Sequence, residues 1–102
     1  MIKVNLKRIN EKTKSVSITG HALYDDYGKD IVCASVSSIV ITSVNAIIRF
    51  DTESISYNTE NGIFISILKH NEITDTLIDN MVSLLVELEK QYKKNIQISE
   101  EG

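Results

Sequence analysis

The sequence contains one cysteine, no proline and no tryptophan among its 102 residues. A single cysteine cannot form an internal disulfide, which excludes the disulfide-stapled scaffolds of small secreted proteins. Aliphatic residues are plentiful and 25% of the residues are charged, a composition typical of a globular α+β protein rather than of a disordered or fibrous one. We therefore expect a single domain over residues 1–102, held together by a modest hydrophobic core.

The chain also lacks an excess of basic residues and the apolar core of a signal peptide. Its formal net charge is −3 at pH 7, so it has no broad positive surface for phosphate backbones, and no direct nucleic-acid partner is expected. The first residues, MIKVNLKRIN, alternate between apolar and polar side chains. The cytoplasm is the predicted compartment, where a lone thiol stays reduced and available as a nucleophile.

One uncharged run, from Ile31 to Ile48, reaches the eighteen residues at which a membrane span is considered. Polar residues nevertheless recur through it and just beyond it at spacings of three and four, which places them on one stripe of a helix: Ser35, Ser38, Thr42, Asn45 and Arg49. Each of these polar groups would be costly in lipid. We predict a core helix with a narrow polar edge, and no membrane partner.

Alternation and helical periodicity predict the order β-β-α-β-β-α-β. Apolar residues at every second position indicate strands near Ile2–Leu6 and Val16–Ile18, and the uncharged run is the first helix, from about Ile31 to Phe50. A hairpin with Asn61-Gly62 near its turn follows. The second helix has a predicted apolar stripe, and a short strand around Ile96 and Ile98 comes last. The predicted stripe consists of Leu77, Met81, Leu84, Leu85, Leu88 and Tyr92. The fold class is α+β, with two helices on a mainly antiparallel sheet.

Cys33 lies where the first helix is predicted to start. Asp30 is a good N-cap residue, which makes Cys33 the third helical residue. The unpaired amides and the positive end of the helix dipole favour a thiolate there. The same amides are candidates for stabilising an oxyanion beside the sulfur.

His21 stands twelve residues before Cys33, at the end of the second predicted strand. If that strand packs beside the helix start, His21 can take the thiol proton and later protonate a leaving amine. Asp30, Asp25 or Asp26 can orient the imidazole; Asp30 is preferred because the helix start fixes its position, although capping and orienting compete.

Plainer interpretations remain open for each of these residues. A lone cysteine at a helix start is often a small buried hydrophobe, and Asp30 is often only a cap. Asp25 and Asp26 are most simply a solvated loop, and His70 has no evident partner. One cysteine and two scattered histidines make a weak zinc site, so neither a metal nor another cofactor is expected.

Three stretches of the chain form one pattern: Gly20-His21-Ala22, a short loop ending in Gly28, and Asp30-Ile31-Val32-Cys33-Ala34 with Ser37 one turn later. This pattern resembles the ribosomal-processing cysteine protease family, Prp. The "NAI" at Asn45–Ile47, the length and the element order agree with this resemblance, which covers essentially the whole chain. Ser35 departs from the small residue, often glycine or alanine, that the family pattern leads us to expect there.

The resemblance implies an endopeptidase that removes an N-terminal extension from a bacterial large-subunit ribosomal protein, the one numbered twenty-seven. It implies Cys33 as nucleophile, His21 as general base and acid, and Asp30 in a supporting role. A homodimer and a loop over residues 22–29 that substrate orders are also implied. The alternatives are a non-catalytic ribosome-assembly or peptide-binding factor and, more weakly, a redox-sensing thiol protein, since the chain has no resolving cysteine.

Overall fold

The computed structural model describes residues 1–21, 23, 25–26 and 30–101. The described elements, in chain order, are β1 (Ile2–Ile9), β2 (Lys12–Thr19), α1 (Ile31–Phe50), β3 (Ile55–Asn58), β4 (Ile63–Ile67), α2 (Glu72–Gln91) and β5 (Ile96–Glu101). This order confirms the α+β prediction, β-β-α-β-β-α-β. The first two strands are longer than the alternation of apolar residues indicated.

The five strands form one sheet in the order β3-β4-β2-β1-β5. The pairs β1–β2, β2–β4 and β3–β4 are antiparallel, whereas β1 and β5 are parallel. A parallel neighbour requires a crossover, and the segment that contains α2 supplies it. Ile2, Val4 and Leu6 are buried while Lys3 and Asn5 are exposed, so one face of the sheet carries the core and the other faces solvent.

The first helix, α1, has the predicted bounds and the predicted faces. Its polar stripe is largely exposed, and its opposite face is buried in the core. The helix is long and apolar enough to cross a membrane by length and composition. One face of the helix packs into the core, where six residues are buried: Val32, Val36, Val40, Ser43, Val44 and Ile47.

The second helix, α2, buries a stripe that differs from the predicted one. Buried residues recur at alternating spacings of four and three: Thr74, Ile78, Met81, Leu85 and Leu88. Leu84 is exposed, because each residue turns the helix by about 100° and the position before Leu85 therefore faces the edge of the stripe. The predicted stripe omitted two buried residues: Thr74, whose side chain is polar, and Ile78, which is apolar.

The α2 N-terminus also corrects the prediction that His70 lacks a partner. Nδ1 of His70 lies 2.8 Å from Oδ1 of Asp75. Asn71 caps the helix by accepting a hydrogen bond from the Thr74 amide. Nearby, Lys69 lies beside Glu53 and Asp51; the hydrogen bond to Glu53 and the charge of Asp51 raise the Lys69 pKa.

The neighbours Leu84 and Leu85 allow a direct test of which side of α2 faces the core. Leu85→Ala should lower the free energy of unfolding by about 2 to 5 kcal/mol, because it leaves a cavity in a fully buried position. Leu84→Ala should cost less than about 1 kcal/mol. Urea unfolding monitored by circular dichroism measures both, and equal losses would contradict the observed orientation of the helix.

Candidate active site

The end of β2 positions His21. Gly20, the residue between the strand and His21, has φ +88°, and a Cβ at this position would overlap the carbonyl oxygen of Met1. Only glycine allows both that backbone conformation and that close approach. The chain therefore leaves the sheet tightly packed against the start of β1 and presents His21 as an exposed side chain.

The start of α1 positions Cys33. Asp30 is the N-cap, and its Oδ1 accepts hydrogen bonds from the amides of Val32 at 2.9 Å and Cys33 at 3.1 Å. The Ala34 amide donates to the Asp30 carbonyl oxygen at 3.1 Å. Three first-turn amides are thus already paired, which corrects the expectation that the amides of this turn are open to an oxyanion beside the sulfur. Cys33 itself is partly buried against the core.

These two chain segments meet at a cavity of about 540 Å³, here called the loop cavity. The described residues that line it are His21, Leu23, Asp25, Asp30, Cys33, Ala34 and Ser37. The structure therefore brings His21, Cys33 and Asp30 to one site. It also places Asp25 there, whereas Asp26, whose amide donates to Oδ1 of Asp25 at 2.7 Å, is not among the lining residues.

A second cavity of about 510 Å³, here called the hairpin cavity, also reaches His21 and Cys33. Its other described lining residues are Ile2, Ile18, Thr19, Gly20, Val36, Ser37, Asn61, Gly62 and Ile63. The hairpin tip reaches this site because Ile18 of β2 pairs with Ile63 of β4. A Cβ on Gly62 would lie 2.7 Å from the Ile18 carbonyl oxygen, so a glycine permits this contact.

Sequence reasoning did not place Asn61, Gly62, Ile63 or Leu23 at the site. The Asn-Gly pair was identified as a turn, but its position beside His21 depends on the register between β2 and β4, which no local pattern indicates. The expectations for the loop over residues 22–29 fall largely outside the described residues, because Ala22, Tyr24, Tyr27, Gly28 and Lys29 lie there. Among the residues that are described, no group of three or more His, Cys, Asp or Glu side chains is placed to hold a metal ion.

Comparisons with known proteins identify the family. The family described as cysteine protease Prp matches residues 1–97. The ribosomal processing cysteine protease Prp of Staphylococcus aureus is 35% identical, with 97% of this chain and 98% of that protein aligned.

Two solved structures of the Staphylococcus aureus ribosomal processing protease Prp have the same fold. One contains a covalently linked product peptide and superposes with a TM-score of 0.94 at 31% identity, covering 99% of this chain and 100% of that one. The other contains a substrate peptide and has a TM-score of 0.87 at 30% identity, with the same coverage. The chain belongs to the cysteine protease Prp family, and membership supports a cysteine peptidase.

The capping contact of Asp30 can be separated from its charge by two substitutions. Asp30→Ala removes the acceptor for the Val32 and Cys33 amides and should lower the free energy of unfolding by about 1 kcal/mol. Asp30→Asn should stay within about 0.5 kcal/mol of the parent protein, because asparagine caps about as well. Urea unfolding measures both; an Asn variant as unstable as the Ala variant would contradict a pure capping contribution.

Proposed function

We propose that this chain is a cysteine endopeptidase that removes the N-terminal extension of the bacterial large-subunit ribosomal protein numbered twenty-seven. Cys33 is the nucleophile and His21 the general base and acid. The observation that carries this proposal is that His21 and Cys33, which come from separate elements, line the same cavity in a chain of the Prp family.

In the first half-reaction, Cys33 Sγ attacks the carbonyl carbon of the scissile peptide bond while His21 accepts the thiol proton. The tetrahedral intermediate collapses, the C–N bond breaks, and His21 passes that proton to the leaving amine. The products of this step are a free amino terminus and a thioester between Cys33 and the acyl part of the substrate.

In the second half-reaction, a water molecule attacks the thioester carbonyl and gives a proton to His21. The C–S bond breaks, the acyl part leaves as a carboxylic acid, and the thiol is restored by the proton from His21. No redox step or external co-reactant other than water is required.

Asp30 has a supporting role in this proposal. Through its bonds to two amides it fixes where the first turn of α1 begins, and so where the Cys33 side chain lies. The orienting role predicted for it stays a proposal, and the carboxylate of Asp25, which lines the same cavity, is the other candidate orienter.

The substrate assignment rests on the relatives. They are named ribosomal processing proteases, and the solved relatives hold a substrate peptide or a linked product peptide. A ribosomal protein is typically basic, which agrees with the net charge of −3 and with the carboxylates at the loop cavity.

The test is mass spectrometry of the organism's own extended ribosomal protein after incubation with this chain. The parent protein should release one N-terminal fragment, whereas Cys33→Ser, Cys33→Ala and His21→Ala should each lower the cleavage rate by at least about 1,000-fold while remaining folded. His70→Ala is the matched control, since it removes the other histidine and should leave cleavage unchanged.

An intact substrate in every reaction, with binding retained, would favour the non-catalytic assembly or peptide-binding factor instead. The rate of Cys33 alkylation at neutral pH separates these functions, because an activated thiolate reacts well ahead of an ordinary cysteine. Cleavage retained by either Cys33 variant or by His21→Ala would overturn the residue assignments.

The homodimer implied by the family resemblance is also part of the proposal. The outer faces of the two helices support it, because Ile31, Ile41 and Leu84 are exposed and a groove of about 580 Å³ runs between α1 and α2. Light scattering after size-exclusion chromatography should give twice the chain mass of 11.5 kDa. Leu84→Glu should shift the protein toward monomer, and a monomeric parent protein would contradict the dimer.

A further inference from the structure

A recess of about 440 Å³, here called the distal recess, lies at the end of the sheet away from the candidate active site. It is formed by the turn between β1 and β2, the end of β4 and the connection from β4 to α2. Strand β2 runs from Lys12 at this recess to Thr19 at the hairpin cavity, a length of about 23 Å at about 3.3 Å per residue. The described residues that line the recess are Ile9, Asn10, Lys12, Lys14, Ile67 and His70.

Lys14 occupies an unusual position for a lysine. Val16 of β2 is buried, and the alternation of side chains along a strand places Lys14 on the same face of the sheet. The pairing of Ser15 with Ser66 puts Lys14 beside Ile67, with which it lines the recess. Lys14 belongs to none of the ion pairs between residues that the structure describes. It therefore brings a positive charge without a neighbouring carboxylate to the core side of a central strand.

Two further basic groups of the distal recess share one carboxylate. Nδ1 of His70 lies 2.8 Å from Oδ1 of Asp75, and Nζ of Lys12 lies 3.7 Å from Oδ2 of the same side chain. Because Nδ1 faces Asp75, Nε2 of the imidazole points to another partner. Glu11 and Glu72 are exposed and are not among the described lining residues. Once His70 is protonated, the recess therefore has three positive groups for one nearby carboxylate.

Arg8 holds the turn that forms one wall of the recess. Its Nη2 donates to the carbonyl oxygen of Glu11 at 2.7 Å, and its Nη1 donates to Oγ1 of Thr13 at 3.2 Å. Asn10 and Glu11 have φ of +53° and +66°, the conformation of a tight hairpin turn. The wall is thus shaped by contacts within the chain, which lowers the cost of ordering it around a ligand.

From these contacts we propose that the distal recess binds the phosphate group of a small molecule. A phosphate group offers three strong acceptor oxygens, which suits three basic donors: Lys12, Lys14 and His70. Ile9, which is exposed, and Ile67 supply an apolar surface for the organic part of a phosphate monoester. A long polyanion is disfavoured by the net charge of −3, so the ligand is free phosphate or a small monoester such as a mononucleotide.

The test is NMR titration of the whole chain with inorganic phosphate, adenosine monophosphate and acetate at constant ionic strength. Both phosphates should shift the backbone amide signals of Asn10, Lys12, Lys14 and His70, and acetate should bind at least about threefold more weakly. Adenosine monophosphate should bind about three- to tenfold more tightly than inorganic phosphate if its organic part covers the apolar surface. Equal affinities of the two phosphates would support the same site and assign it to free phosphate.

Substitutions with matched controls assign the binding to the recess. Lys14→Met should weaken the binding of both phosphates by about tenfold, because it removes the charge and keeps the apolar stem. Lys7→Met is its control, since Lys7 is an exposed lysine on β1 that does not line the recess. Ile9→Ser should remove any advantage of adenosine monophosphate over phosphate, whereas Ile41→Ser, on the exposed side of α1, should leave that advantage unchanged.

The proposal is overturned if neither phosphate shifts the signals of the recess, or if acetate binds as tightly as phosphate. It is also overturned if Lys14→Met binds phosphate as tightly as Lys7→Met. His70→Gln provides a second variant should Lys14→Met fail to fold, and it too should weaken phosphate binding. Neither His21 nor Cys33 lines the recess, so the titration gives its answer whether or not the chain cleaves a substrate.

Discussion

Burial of α1 against the sheet is the constraint on which the site depends. The helix contains many β-branched residues, whose helix propensity is modest, so contacts with the core rather than local preference hold it. Val32, Val36 and Val40 are buried, and a fully buried side chain of this size contributes about 1.5 to 3 kcal/mol. Because Cys33 follows Val32 directly, the burial of Val32 anchors the turn of the helix that carries the sulfur.

The helix start combines two opposing electrostatic effects. The N-terminal end of a helix attracts negative charge, but the cap here is itself a carboxylate, whose negative charge offsets part of that field. The Asp30 side chain also occupies the amides of Val32 and Cys33. These two hydrogen bonds fix the geometry of the first turn of α1, on which Cys33 lies.

The element order and the bounds of α1 could be predicted because they depend on local periodicity and on one capping residue. The side of α2 that faces the core was predicted less well, since Leu84 and Leu85 are equally apolar and only tertiary packing distinguishes them. The position of Asn61 at the same cavity as His21 could not be predicted from the sequence. It follows from the pairing of Ile18 with Ile63, which lie in distant parts of the chain. Capping by Asp30 was predictable, and the pairing of first-turn amides such as that of Cys33 follows from it.

The parallel pairing of β1 with β5 has a consequence for how the molecule acquires its shape. Ile2 lies opposite Ile96, so nearly the whole length of the chain separates two strands that must become neighbours. Such a pairing demands loop closure over a long segment before any contact is gained, which is typical of topologies with high contact order and slow folding. During synthesis, His21 and Cys33 emerge early, but β1 remains a sheet edge until β5 has left the ribosome. The sheet therefore cannot be completed before its last strand in chain order, β5, is available to pair with β1.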